Sequence, residues 1–132
     1  MQELLEKYKQ QIKADLEINR INVGEVARSL PAKRHFWSSK LIDHKIKINE
    51  LERSKVKILK EVSQKLNKAA PVAIGVHNLN KAAEQSDEIQ SINEQIAEHK
   101  LFVEFLEVVQ KNFFSASYDV SNIINLQKLE QL

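Results

Sequence analysis

Cysteine is absent from these 132 residues, and glycine and proline occur only twice each. Without cysteine there are no disulfide scaffolds, thiolate zinc sites, iron–sulfur clusters or thiol nucleophiles. A combined glycine and proline share far below the usual ~12% removes the turn formers that sandwiches, barrels and glycine-loop nucleotide folds need. Aromatic residues make up only 6% of the chain. No apolar run approaches the ~18 residues that span a bilayer. The start, Met1-Gln2-Glu3-Leu4-Leu5-Glu6, has neither the basic flank nor the apolar stretch of a secretory signal. These absences predict an all-α protein, free of membranes, in a reducing cytoplasm.

What is present is charge, unevenly placed. The net charge of +2 conceals three segments. Residues 1–30 are neutral, 31–68 carry +7 and 69–132 carry −5. A basic middle third suits a polyanion, an acidic partner, or the acidic last third of the same chain.

Apolar periodicity sets out the elements. Leu4, Leu5, Tyr8, Ile12 and Leu16 predict a short N-terminal amphipathic helix of about four turns. Val23, Val26 and Leu30 continue less regularly, with Gly24 weakening the pattern. Ser29-Leu30-Pro31 reads as a helix start, a capping hydroxyl followed by proline in the first turn. A long helix is expected from there to Asn67. Its a and d positions run Arg34, Trp37, Leu41, His44, Ile48, Leu51, Lys55, Ile58, Val62 and Lys65, six of them apolar, which gives it coiled-coil character. Ala69-Ala70-Pro71 ends it, and residues 72–85 read as a loop. Ser86-Asp87-Glu88 opens a second long helix, a cap followed by acids at the positive end of the dipole. Its stripe is Ile89, Ile92, Ile96, His99, Val103, Leu106, Gln110 and Phe113. A break is expected at 112–117, then a last helix carrying Tyr118, Val120, Ile123, Ile124, Leu126 and Leu129. The expected architecture is a long helical hairpin with a short N-terminal helix and a C-terminal oligomerisation helix.

Surplus apolar surface usually marks an interface. Phe102, Phe105, Leu106, Val109, Phe113, Phe114, Val120, Ile123, Ile124 and Leu126 are therefore expected to join copies of the chain. This divides the sequence into residues 1–100, carrying the basic helix, and an oligomerisation region, 101–132. His44 and His99, on the apolar stripes, are expected at the same kind of interface.

Geometry singles out the basic helix. At 100° per residue, Arg53, Lys57, Lys60 and Lys68 lie within about 80° of one another, opposite Leu51, Ile58, Val62 and Leu66. The cations form a stripe about 22 Å long, suited to several phosphates of an extended strand. Lys33, Arg34, Phe36 and Lys40 combine cations with a ring that bases can stack on. Trp37, beside them, occupies a core position. The histidines, at 35, 44, 77 and 99, are scattered. No Glu-x-x-His pair, glycine-rich phosphate loop or nucleophile-and-base pairing occurs, so neither a metal, a cofactor nor an enzymatic activity is expected. A structural or adaptor coiled coil without nucleic-acid binding fits the same heptads and remains the alternative.

The order of these features resembles the recombination mediator family of T-even-type phages, the UvsY-like proteins. The resemblance rests on Arg34-His35-Phe36-Trp37-Ser38-Ser39-Lys40, on Lys55-Val56-Lys57-Ile58-Leu59-Lys60, and on the acidic start Gln85-Ser86-Asp87-Glu88-Ile89. Val103-Glu104-Phe105-Leu106 and the closing Tyr118-Asp119-Val120-Ser121-Asn122-Ile123-Ile124 complete it. It implies a ring-like homo-oligomer in the cytoplasm of an infected bacterial host. Such a protein binds single-stranded DNA and helps load a RecA-like phage recombinase onto strands coated by the phage single-strand-binding protein. The family's basic Leu-Lys-x-Arg stretch corresponds to Leu59-Lys60-Glu61-Val62, where Val62 replaces the arginine. Only Lys60 carries over directly.

Overall fold

The computed structural model describes residues 1–69 and 75–131. Among them are four helices and no strand: α1 (Gln2–Asp15), α2 (Val23–Ala69), α3 (Val76–Glu84) and α4 (Asp87–Glu130). The chain forms two compact units. One holds residues 1–43 and 102–131, the other residues 44–101. The units cut across a division into 1–100 and 101–132, because the last third of the chain packs on the first.

The first unit is built by three helical stripes. Tyr8 and Ile12 come from α1, Val23, Val26, Leu30 and Trp37 from α2, and Phe102, Leu106, Val109, Phe113, Ala116 and Val120 from α4. Spacings of three and four put each set on one helix face. Trp37 is completely buried. Its ring meets Tyr8 edge-on at 5.2 Å, and Tyr8 meets Phe102 at 5.4 Å, geometries that aromatic quadrupoles favour. The Trp37 Nε1–H donates to Asp15 Oδ2 at 2.9 Å, so the one polar atom of this ring keeps a partner in the core. Burial, with a smaller contribution from the Asp43 carboxylate, pushes the Tyr8 phenol above its usual value.

Five of the ten residues expected between copies, Phe102, Leu106, Val109, Phe113 and Val120, are thus buried within the chain's own core. Phe105, Ile123 and Ile124 pack partly against it. The surplus apolar surface of the last third covers α1 and the start of α2, long-range neighbours that periodicity alone does not reveal.

The α2 start is earlier than expected. Asn19 Oδ1 accepts the Ile21 and Asn22 N–H groups at 2.8 and 2.9 Å. Asn22 Oδ1 accepts the Asn19 N–H at 2.8 Å, and Asn22 O accepts the Val26 N–H at 2.9 Å. Two asparagines therefore build the turn that leads into α2, whose first backbone bond is the one to Asn22 O. Pro31 lies inside α2, leaving the Ala27 carbonyl without its usual donor. Burial of Val26 and Leu30 before it and of Trp37 after it outweighs that loss. The Ser29 hydroxyl donates to Val26 O at 3.3 Å and does not cap.

The break expected at 112–117 is likewise absent, since α4 is continuous to Glu130. The Ser117 hydroxyl donates to Phe114 O at 2.6 Å and that of Ser121 to Ser117 O at 3.2 Å, so these serines bond back to their own helix. The end of α4 is tied to the α1–α2 turn by an Arg20–Glu130 ion pair and by Gln127 Nε2 donating to Arg20 O at 3.1 Å.

In the second unit, Leu51 of α2 packs with Ile92 and Ile96 of α4, flanked by Ile48 and Ile58. Residues 76–84, expected as loop, form α3. Val76, Leu79 and Ala83 share one face of it, and Ala83 is fully buried. Ser86 does precede α4, but its hydroxyl donates back to Ala83 O at 2.6 Å. It closes α3 instead of capping α4. The expected helix end at 70–71, and residues 72–74 of the expected loop, lie outside the described residues. His44 is buried and meets His99 inside this unit, Nδ1 to Nδ1 at 2.9 Å. The two histidines face each other within the chain.

Candidate nucleic-acid interface

The cationic stripe lies wholly in the second unit. Leu51 is buried and Ile58, Val62 and Leu66 are half-buried, while Arg53, Lys57, Lys60 and Lys68 are exposed. Packing of the apolar face thus turns the cations outward. Among the described residues no ion pair within 4.0 Å engages any of the four, so their charge is available to a ligand.

The surroundings of the stripe are less uniform than the helix alone implies. Lys60 and Gln64 line a cleft of about 470 Å³ with Val56, Leu59, Ser63 and, from α3, Asn80 and Glu84. A second cleft holds Arg53 beside Asn49, Glu52 and Val56. Glu84 thus brings a carboxylate to the Lys60 end. The signal for this was the apolar spacing of Val76, Leu79 and Ala83, masked by the asparagines between them.

The aromatic–basic segment lies in the first unit, and its members have separate duties. Lys33 Nζ is 3.8 Å from Asp15 Oδ1, the carboxylate that also holds Trp37. The pair ties Lys33 to the same carboxylate. Phe36 remains exposed, stacked edge-on against Trp37 at 5.0 Å, with the Lys40 ammonium 5.3 Å from its ring centre. Phe36 and Lys40, one turn apart on α2, therefore present a ring and a cation together. Arg34 leaves on a different face of α2 and lies 5.9 Å from the Phe114 ring centre.

Among the described residues no group of three or more histidine, aspartate or glutamate side chains is placed to hold a metal ion, and no helix is long and apolar enough to cross a membrane.

No family model matches the chain, and no curated protein matches its sequence. The fold does have a counterpart. The crystal structure of the bacteriophage T4 recombination mediator protein UvsY superposes with a TM-score of 0.80, covering 96% of this chain and 98% of that one at 13% sequence identity. The two chains share an all-α fold along nearly their whole length.

Proposed function

We propose that this chain, which has the fold of the T4 mediator, is itself a recombination mediator. It binds single-stranded DNA as a ring-like homo-oligomer and promotes loading of a RecA-like phage recombinase onto strands coated by the phage single-strand-binding protein. The setting is the cytoplasm of an infected bacterium. The observation that carries this reading is the shared fold, coupled to a row of exposed cations none of which has an ion pair within 4.0 Å among the described residues.

Arg53, Lys57, Lys60 and Lys68 take the phosphates, with Phe36, Lys40 and Arg34 as further contacts. Phosphates carry no base code, so binding is largely independent of sequence. A few cations per chain bind weakly. Several copies on one strand act together, because every contact after the first is intramolecular. A strand held along such an assembly is extended, which favours displacement of a competing coat protein. The surface left for assembly is the exposed apolar part of late α4, Leu126 and Leu129, with the partly buried Ile123, Ile124 and Phe105.

The test is fluorescence anisotropy of a labelled single-stranded oligonucleotide across a salt series. The expected result is binding whose log K falls with log salt by about 0.7 per phosphate neutralised. More than about four contacts by that slope requires several copies on one strand. Absence of binding at low salt with the assembly intact assigns the basic face to a protein partner, and the adaptor coiled coil replaces the mediator.

A further inference from the structure

In the first unit Arg34, named above as a further contact, is joined by two rings that the reading above leaves unused. On α4, Phe114 and Tyr118 are 54% and 61% exposed. They stand one turn apart with ring centres 5.5 Å from each other and planes at 73°. The Arg34 guanidinium of α2 lies 5.9 Å from the Phe114 ring centre and has no ion pair within 4.0 Å among the described residues. Beside it opens a cleft of about 210 Å³, lined by Arg34, Ala27, Leu30, Pro31, Ser117 and Val120. The cleft wall is apolar apart from Arg34 and Ser117, and the Ser117 hydroxyl proton is already given to Phe114 O.

We infer that Arg34, Phe114 and Tyr118 form a base-stacking site for single-stranded nucleic acid. The inference rests on the strand-binding reading and adds to it a contact that does not depend on phosphate charge. The chemistry selects the ligand. Two exposed rings, braced against each other edge to face, offer flat apolar surface with little rotamer freedom left to lose. The adjoining Arg34 guanidinium offers a charge partner for the phosphate of a stacked nucleotide. A nucleotide supplies both complements, a flat ring and a nearby anion. Aromatic platforms of this kind accept any base, since every base has a π-face. The site therefore strengthens binding without adding sequence preference, and it persists at salt concentrations that weaken the phosphate contacts.

The experiment compares two labelled strands of equal length, one oligothymidine and one wholly abasic, bound by the full chain. The wild type is expected to prefer the base-bearing strand by on the order of tenfold. The Phe114→Leu, Tyr118→Leu double variant is expected to lose most of that preference, keeping only what the exposed Phe36 ring contributes, while its affinity for the abasic strand stays at the wild type's. The Phe114→Trp variant is expected to keep the preference. A wild type that binds both strands equally overturns the stacking site and leaves the phosphate reading standing. A wild type that binds neither overturns both. Sedimentation of the double variant supplies the last check. If it loses the preference only because the assembly falls apart, these rings join copies of the chain and the inference is wrong.

Discussion

His44 and His99 face each other Nδ1 to Nδ1 at 2.9 Å across α2 and α4. At that distance one ring donates its proton and the other accepts, which requires at least one neutral imidazole. Desolvation is the main reason His99 titrates below its ordinary value of 6.5, and the Lys47 ammonium adds to the effect while Glu98 opposes it. Because the folded value is depressed, the unfolded chain binds the proton more readily. Stability is therefore complete above pH of about 6.5 and is lost as the pH falls below it. Thermal melts between pH 8 and 5 should show this decline, and His99→Gln should flatten it. A wild type with a constant Tm through that range contradicts the linkage.

Lys57→Ala with Lys60→Ala should weaken single-strand binding and reduce the slope of log K against log salt by about 1.4 per chain bound. Both side chains are exposed, so the melting temperature and the sedimenting species should stay as in the wild type. An unaltered slope would place the phosphate contacts elsewhere.

Leu126 and Leu129 are 54% and 65% exposed at the end of α4. Leu126→Asp with Leu129→Asp should lower the order of the assembly while each chain keeps its helical content, measured by sedimentation and circular dichroism. Strand affinity should fall with it, since avidity is lost.

Gly24 lies in the first turn of α2, and a Cβ there would sit 3.7 Å from Arg28 Nη1, an ordinary contact. Neither glycine has a positive φ. Gly24→Ala should raise stability by about 0.4–1 kcal/mol through a less flexible unfolded chain, visible in the urea midpoint.

The Ser38 hydroxyl donates to Gln110 Oε1 at 2.8 Å, while Gln110 Nε2 is buried without a partner. Ser38→Ala should cost about 1–3 kcal/mol by leaving the amide oxygen unsatisfied as well. Adding Gln110→Leu should recover most of that loss. Denaturant melts of the two single variants and the double variant form the cycle.

The sequence by itself determined what local chemistry controls. The scarcity of glycine and proline, together with heptad spacing, dictated helices. The acidic turn at 87–88 placed the start of α4, and the alternation of Leu51, Ile58, Val62 and Leu66 with the cations predicted which way the stripe faces. All of these depend on residues within a few turns of one another. Tertiary structure decided the rest. Pro31 and the serines at 115 and 117 are breakers in isolation, yet helices run through them because Leu30, Phe113 and Ala116 are buried beside them. Phe102, Leu106, Val109, Phe113 and Val120 read as a sticky surface until α1 and the start of α2 are laid against them. Lys33 reads as an unpaired cation until Asp15 is found beside it. Burial is a property of pairs of segments far apart in the chain, and one sequence states which faces are apolar without stating which of them meet.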